Sequence, residues 1–146
     1  MRDRAGLACV LVGSKEDRPA AAAVARAAGA IDLCGRLDLG ATAAVLARAG
    51  LLVGPDSGIA HLAVAAGARA VVLFGPSDPL KWGPPADRGI ALREPLPCSP
   101  CSMFGYTRPC RSNACMAALS VERVLAAALP LACLLYTSPS PRDKRQ

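Results

Sequence analysis

Aromatic residues are scarce in this chain of 146 residues, which has two Tyr, two Phe and one Trp. So few rings cannot form an extended stacking surface for bases, and the basic residues behind the net charge of +6 are scattered rather than gathered into a stripe, so no nucleic-acid partner is expected. An anionic small molecule or a membrane surface fits that charge as well. No apolar run reaches the roughly 18–20 residues of a membrane-crossing helix. Met1-Arg2-Asp3-Arg4 also lacks the apolar stretch of a secretory signal, so a cytoplasmic location is expected. The G-x-x-x-x-G-K-[ST] loop and the G-x-G-x-x-G fingerprint are both missing. The standard nucleotide motifs therefore do not identify a ligand, and a Rossmann-type oxidoreductase is disfavoured.

What the chain does have is 53% hydrophobic residues, many of them alanine, with 19% charged, which is the composition of one globular domain. Short aliphatic runs alternate with alanine-rich segments of helical period between Gly6 and Phe74, the pattern of βα units around a mostly parallel sheet. Residues 6–12 are apolar on both faces, as a buried parallel strand requires. A helix is expected over residues 17–28, with Pro19 in its first turn and Gly29 ending it, and a strand over residues 30–34. Leu39, Ala43, Leu46, Ala47 and Gly50 place one apolar face on a second helix. Residues 51–53 form the next strand, a third helix runs from Ser57 to a stop at Gly67, and residues 70–74 make the strongest strand. Loops rich in Pro and Cys follow until Ser120 caps a last helix with Val121, Val124, Leu125, Ala128 and Leu129 on one face, ended by Pro130.

The segment from Cys133 to Asp143 resembles the conceptual translation of a transposase-type sequencing adapter, so residues 133–146 are set aside from the fold as a non-native tail. A genuine Ser/Pro-rich flexible tail is the alternative. Arg142, Lys144 and Arg145 against Asp143 account for two of the six net charges. Residues 1–132 are then the domain, expected to be a fragment truncated on its N-terminal side.

In open parallel sheets the ligand crevice lies at the carboxyl ends of the strands, and residues 51–53 deliver Gly54-Pro55-Asp56-Ser57-Gly58-Ile59-Ala60-His61 to such an end. Asp56 or Ser57 can cap the helix, Gly58 removes the side chain that would hold a ligand off the backbone, and the first-turn amides suit a phosphate or diphosphate. Ser57 and His61, four residues apart, should share a helix face, and Asp56 can hold sugar hydroxyls. The plainer alternative is an ordinary cap followed by a half-buried histidine. Ser77 and Asp78 follow the strongest strand and support the sugar or the neighbouring loop, or else Asp78 caps the turn before Trp82, which is read as a packing residue.

These residues resemble the glycosyltransferase family that includes ADP-heptose:lipopolysaccharide heptosyltransferases. Its signature D-[ST]-G-x-x-H-x-A-A is matched by Asp56, Ser57, Gly58, His61, Ala63 and Ala65-Ala66, with one residue inserted before the last pair. A second segment, F-G-P-[ST]-D-P-x-x-W-G-P, is matched by Phe74-Gly75-Pro76-Ser77-Asp78-Pro79 and Trp82-Gly83-Pro84. The resemblance implies an α/β fold, a Rossmann-like parallel sheet with flanking helices that forms the C-terminal half of a two-lobed (GT-B) glycosyltransferase. It implies that Asp56 contacts the donor sugar, that Ser57, Gly58, Ile59 and His61 surround the diphosphate, and that Glu16 and Leu37 lie near the adenosine. The partners implied are an ADP-heptose-like donor and, through the other lobe, the lipopolysaccharide core, with peripheral association at the inner face of the bacterial inner membrane. The catalytic base is expected in the other lobe, so no catalytic residue is assigned here and the fragment alone should be inactive.

Cys98, Cys101, Cys110 and Cys115 offer four thiolates, the number that tetrahedral zinc or an iron–sulfur cluster requires. Disulfides and free thiols are the other readings, a structural role is favoured, and no cofactor is expected. Cys9 and Cys34 are read as buried free thiols in strands. The alternative to a transferase lobe is a non-enzymatic nucleotide- or metal-binding α/β module centred on this loop.

Overall fold

The computed structural model describes residues 6–103, 106–107, 110 and 112–137. In chain order the elements are β1 (Val10–Leu11), α1 (Arg18–Ala28), β2 (Ile31–Asp32), α2 (Leu39–Arg48), β3 (Leu51–Pro55), α3 (Gly58–Ala65), β4 (Arg69–Phe74), α4 (Pro79–Trp82), β5 (Gly89–Arg93), β6 (Ser102–Met103), β7 (Tyr106–Thr107), α5 (Ala114–Ala117) and α6 (Val121–Thr137). β1 pairs with β2 and β3-β4-β5 form a second sheet, all parallel, so the expected α/β architecture is present. β6 and β7 make a small antiparallel pair.

β4 is the centre of the molecule. Its alternation sends Ala70, Val72 and Phe74 to one face, where they pack with Ala60 and Val64 of α3 and with Leu52. α6 also packs on β3 and β4 and buries Ala128 and Ala132, and the same alternation leaves fully buried Val71 for that second layer. A neighbouring cluster of Leu46, Ala63 and Ala68 draws in Val12, Ile59 and Leu62, tying the end of β1 to α2 and α3. Alanine at the contact positions of α3 lets the helix lie close on the sheet.

Several boundaries differ from the sequence reading. The first strand is confined to two residues, Val10 is 39% exposed and Cys9 is exposed, because β2 is the only strand paired with β1 among the described residues. Cys34 is buried as expected, just beyond β2, with its amide donating to Asp32 Oδ1 at 2.9 Å. On α2 the buried positions are Thr42 and Leu46, while Leu39 is 72% exposed and Ala47 is exposed, so the packed face is turned from the one expected. Asp38 caps that helix by accepting from the Ala41 amide at 2.7 Å. The stretch read as loops after Gly75 contains β5, a five-residue strand whose Ala70↔Gly89 to Phe74↔Arg93 register completes the sheet.

Pro130 does not end the last helix. α6 continues to Thr137, so it takes in the first residues of the segment set aside as a tail. A proline in a helix interior forfeits one hydrogen bond, here to the Ala126 carbonyl. Pro130 is exposed, so water can serve that carbonyl, while buried Ala128 and Ala132 hold the helix to the sheet on either side. Pro130→Ala is therefore expected to stabilise the fold by about 1–3 kcal/mol. Phe74→Ala, which empties a fully buried site, should destabilise it by about 3–5 kcal/mol. Urea unfolding midpoints of the two variants check both signs.

Candidate functional site

Because the sheet is parallel, the carboxyl ends of its strands emerge together, and the segments after β3 and β4 lie side by side: Pro55↔Leu73 is the last pair of that register, and the Asp56 amide donates to Leu73 O at 3.1 Å. Asp56 is thus fixed by its backbone at the mouth of the sheet. Ser57 follows in extended conformation as the first-turn cap of α3, yet its hydroxyl bonds no helix amide. The expectation that Asp56 or Ser57 caps α3 through its side chain is corrected accordingly. Among the described residues, the amides of Ser57, Gly58 and Ile59 have no hydrogen-bond acceptor, since the first bonds of α3 run from Ala60 and His61 to Ser57 O. A Cβ built on Gly58 would meet no atom within 4 Å, so no packing contact requires glycine there.

His61 lies one turn into α3. Its Nε2 is 3.6 Å from Asp56 Oδ1, an ion pair whenever the ring is protonated, and the Asp56 side chain is only 18% exposed. The ring also meets Trp82 of α4 edge-on, with centroids 6.1 Å apart, and Lys81 Nζ lies 5.0 Å from the Trp82 centroid. His61 therefore joins Asp56 and Trp82 rather than the Ser57 hydroxyl, and it bridges the segments that follow β3 and β4. It lines, with Val64, Trp82, Pro84 and Pro85, an open cavity of ≈ 180 Å³. Trp82, read as a packing residue, is 41% exposed and lies outside the core clusters; its ring contact is to His61, a partner that sequence reasoning missed.

Asp78 caps α4, its Oδ1 accepting from the Leu80 amide at 2.9 Å, and Ser77 is half-buried just before it. Glu16 and Leu37 lie in the loops after β1 and β2. These loops are closely joined: the Gly35 amide donates to Gly13 O at 2.9 Å, and a Cβ on Gly35 would come within 2.8 Å of Lys15 Cα. The Glu16 carboxyl is held below its usual range by its own backbone amide and then by the Ser14 hydroxyl; the Asp17 carboxyl is held low by the Ser14 hydroxyl and amide. Among the described residues no hydrogen bond or ion pair links Glu16 or Leu37 to the Asp56–His61 pair.

The profile of glycosyltransferase family 9 (heptosyltransferase) matches residues 1–111. The chain belongs to this family. It is similar to lipopolysaccharide heptosyltransferase 1 of Pseudomonas aeruginosa, 35% identical over 89 residues that make up 61% of this chain and 25% of that protein. Among solved structures it resembles the family 9 glycosyl transferase of Veillonella parvula, with a TM-score of 0.71, 27% identity, and coverage of 90% of this chain and 38% of the other. It also resembles the E. coli ADP-heptose LPS heptosyltransferase II, with a TM-score of 0.69, 25% identity and the same coverage. The chain thus spans about a quarter of the curated relative's length, and its parallel α/β fold is that of the family 9 structures.

Among the described residues no disulfide joins the four cysteines of the later loop, and no three His, Cys, Asp or Glu side chains gather as a metal-binding group. Cys115 is buried against Gly75, whereas Cys98 and Cys110 are exposed. The Cys110 sulfur accepts from the Asn113 amide at 3.4 Å; this bond and, after it, those from Ser112 lower its pKa. Burial, and then Asp32, raise that of Cys34. A lowered pKa enlarges the thiolate fraction at a given pH. Peptide mapping after brief iodoacetamide treatment at neutral pH should find Cys110 labelled ahead of the other exposed cysteines and Cys34 last.

Proposed function

We propose that residues 1–132 are the donor-binding, C-terminal lobe of a two-lobed glycosyltransferase that transfers heptose from an ADP-linked donor to the lipopolysaccharide core. The observation that carries this reading is the start of α3, where three amides without acceptors among the described residues, a Ser57 hydroxyl that makes no cap bond and open space over Gly58 lie beside Asp56. Backbone donors at the positive end of a helix suit a diphosphate, and a glycine lets it reach them. The carboxylate of Asp56 is an acceptor suited to sugar hydroxyls. Family membership and the ADP-heptose named for the E. coli structural relative support the choice of nucleotide and sugar.

Glycosyl transfer needs a base for the acceptor hydroxyl and positive potential for the departing nucleoside diphosphate. The α3 amides supply the second, and His61 adds positive charge when protonated. The base is supplied by the other lobe of such an enzyme, so residues 1–132 on their own would bind donor without turning it over. No helix among the described residues is long and apolar enough to cross a membrane. A cytoplasmic enzyme resting peripherally on the inner face of the inner membrane fits the acceptor.

Calorimetric titration of this chain with ADP and with ADP-glucose tests the reading. Binding is expected in the wild type, with affinity for ADP reduced by more than about tenfold in Gly58→Ala, and affinity for ADP-glucose reduced by more than about tenfold in Asp56→Ala/His61→Ala, which loses the acceptor for the sugar. Gly58→Ala should keep its melting temperature, since the added methyl group meets no protein atom. Absence of ADP binding in the wild type, or unchanged binding in both variants, overturns the assignment.

A further inference from the structure

The turn that carries Ser77 and Asp78 is held from behind by a segment absent from the proposed donor contacts. β4 and β5 end together at the Phe74↔Arg93 pair. Immediately beyond, the Ser99 hydroxyl donates to Gly75 O at 2.6 Å, and Arg93 Nη2 donates to Ser99 O at 3.1 Å, closing a circuit between the two strand ends. The amides of Cys101 and Ser102 both donate to Pro76 O at 2.8 Å. From the other side, Cys115 and Met116 of α5 pack on Gly75 so closely that a Cβ there would lie 2.9 Å from the Met116 sulfur and 3.3 Å from the Cys115 sulfur. Ser99 is 7% exposed, and its hydroxyl donates to this turn from a buried position.

We propose that Ser99 is a positioning residue for the sugar half of the donor: it sets Gly75 and Pro76, and through them the placement of Ser77 and Asp78. The proposal rests on the donor-lobe reading above and adds a specificity role to it. Both carbonyls ahead of Ser77 are fixed by donors from residues 99–102, so the turn has little freedom of its own. One Asp78 oxygen is committed to the Leu80 amide, which directs the carboxylate, while its other oxygen has no protein donor among the described residues. A ligand hydroxyl at that oxygen meets a group whose position depends on the Ser99 bond. The diphosphate contacts at α3 hang instead on β3 and the Asp56 amide bond to Leu73 O, which Ser99 does not touch.

The two halves of the donor should therefore respond differently to loss of the hydroxyl. Ser99→Ala in this chain is titrated with ADP and with ADP-glucose, an available ADP-hexose, alongside a thermal melt. Affinity for ADP should change by less than about twofold and affinity for ADP-glucose should fall by about tenfold, the scale of one buried hydrogen bond. Ser99→Thr, which restores the hydroxyl, should recover the ADP-glucose affinity. An equal loss for both ligands, or no loss for either, overturns the positioning role. Loss of cooperative melting in both variants also overturns it, since the hydroxyl would then serve the fold. Failure of the wild type to bind either ligand speaks against the donor-lobe reading itself and is told apart by that.

Discussion

β4 is buried on both faces and hydrogen-bonded along both edges, and the position of every polar turn at the candidate site depends on it. Its parallel pairing with β3 and β5 brings Pro55, Phe74 and Arg93 out at one edge. Parallel strands need a crossover between them, so α3 must return over the sheet and begin where β3 stops. The depth of that return is set by Ala60 and Ala63, which are almost wholly buried. Larger side chains there would lift α3 away and carry its first turn from the strand ends. The core thus determines the geometry of the site without supplying any of its chemistry.

That placement leaves a local deficit. A helix start normally satisfies some of its amides with a side-chain cap, and a missing cap costs about 0.5–2 kcal/mol. α2 and α4 are capped by Asp38 and Asp78, whereas Ser57 stands in the cap position of α3 without making the bond. α1 and α5 also lack a side-chain cap bond, so what sets α3 apart is its place at the carboxyl ends of β3 and β4. An anion would remove it, and the rigid return over β4 holds the amides in place before one arrives.

The parts legible in the sequence were those with strong periodicity or a long apolar run. β4 could be read from Ala70-Val71-Val72-Leu73-Phe74, and α1 and α3 from their alanine spacing and from Gly29 and Gly67, both of which have positive φ. β5 could not, because Ile90-Ala91-Leu92 is short and bounded by prolines and charges, and only pairing to a buried neighbour makes it a strand. The face of α2 was misread for a related reason: Thr42 is buried because its hydroxyl donates to Asp38 O at 2.7 Å, a contact invisible to a hydrophobic pattern. Asp56, Ser57, Gly58 and His61 were singled out by their position after a strand together with the family signature they match. Ser99 and Arg93 were not, since the Ser99 hydroxyl reaches the Gly75 carbonyl 24 residues earlier in the chain and Arg93 reaches Ser99 from the end of β5, and no local spacing encodes that.

Asp56 and the α3 amides make opposite demands on a donor, and their relative strength sets its orientation. A carboxylate about 4 Å from a phosphate charge repels it by about 4 kcal/mol at the effective dielectric of a protein surface, while the helix terminus attracts by about 0.3–2 kcal/mol. A diphosphate resting against both would therefore be disfavoured. Protonated His61, 3.6 Å from Asp56, would temper the repulsion without reversing it. The favourable pose places phosphate oxygens on the amides of Ser57, Gly58 and Ile59 and interposes neutral hydroxyl donors at Asp56. A nucleoside diphosphate that carries a polyhydroxylated sugar meets both demands, whereas a bare phosphate satisfies the amides and leaves the carboxylate without a hydroxyl partner.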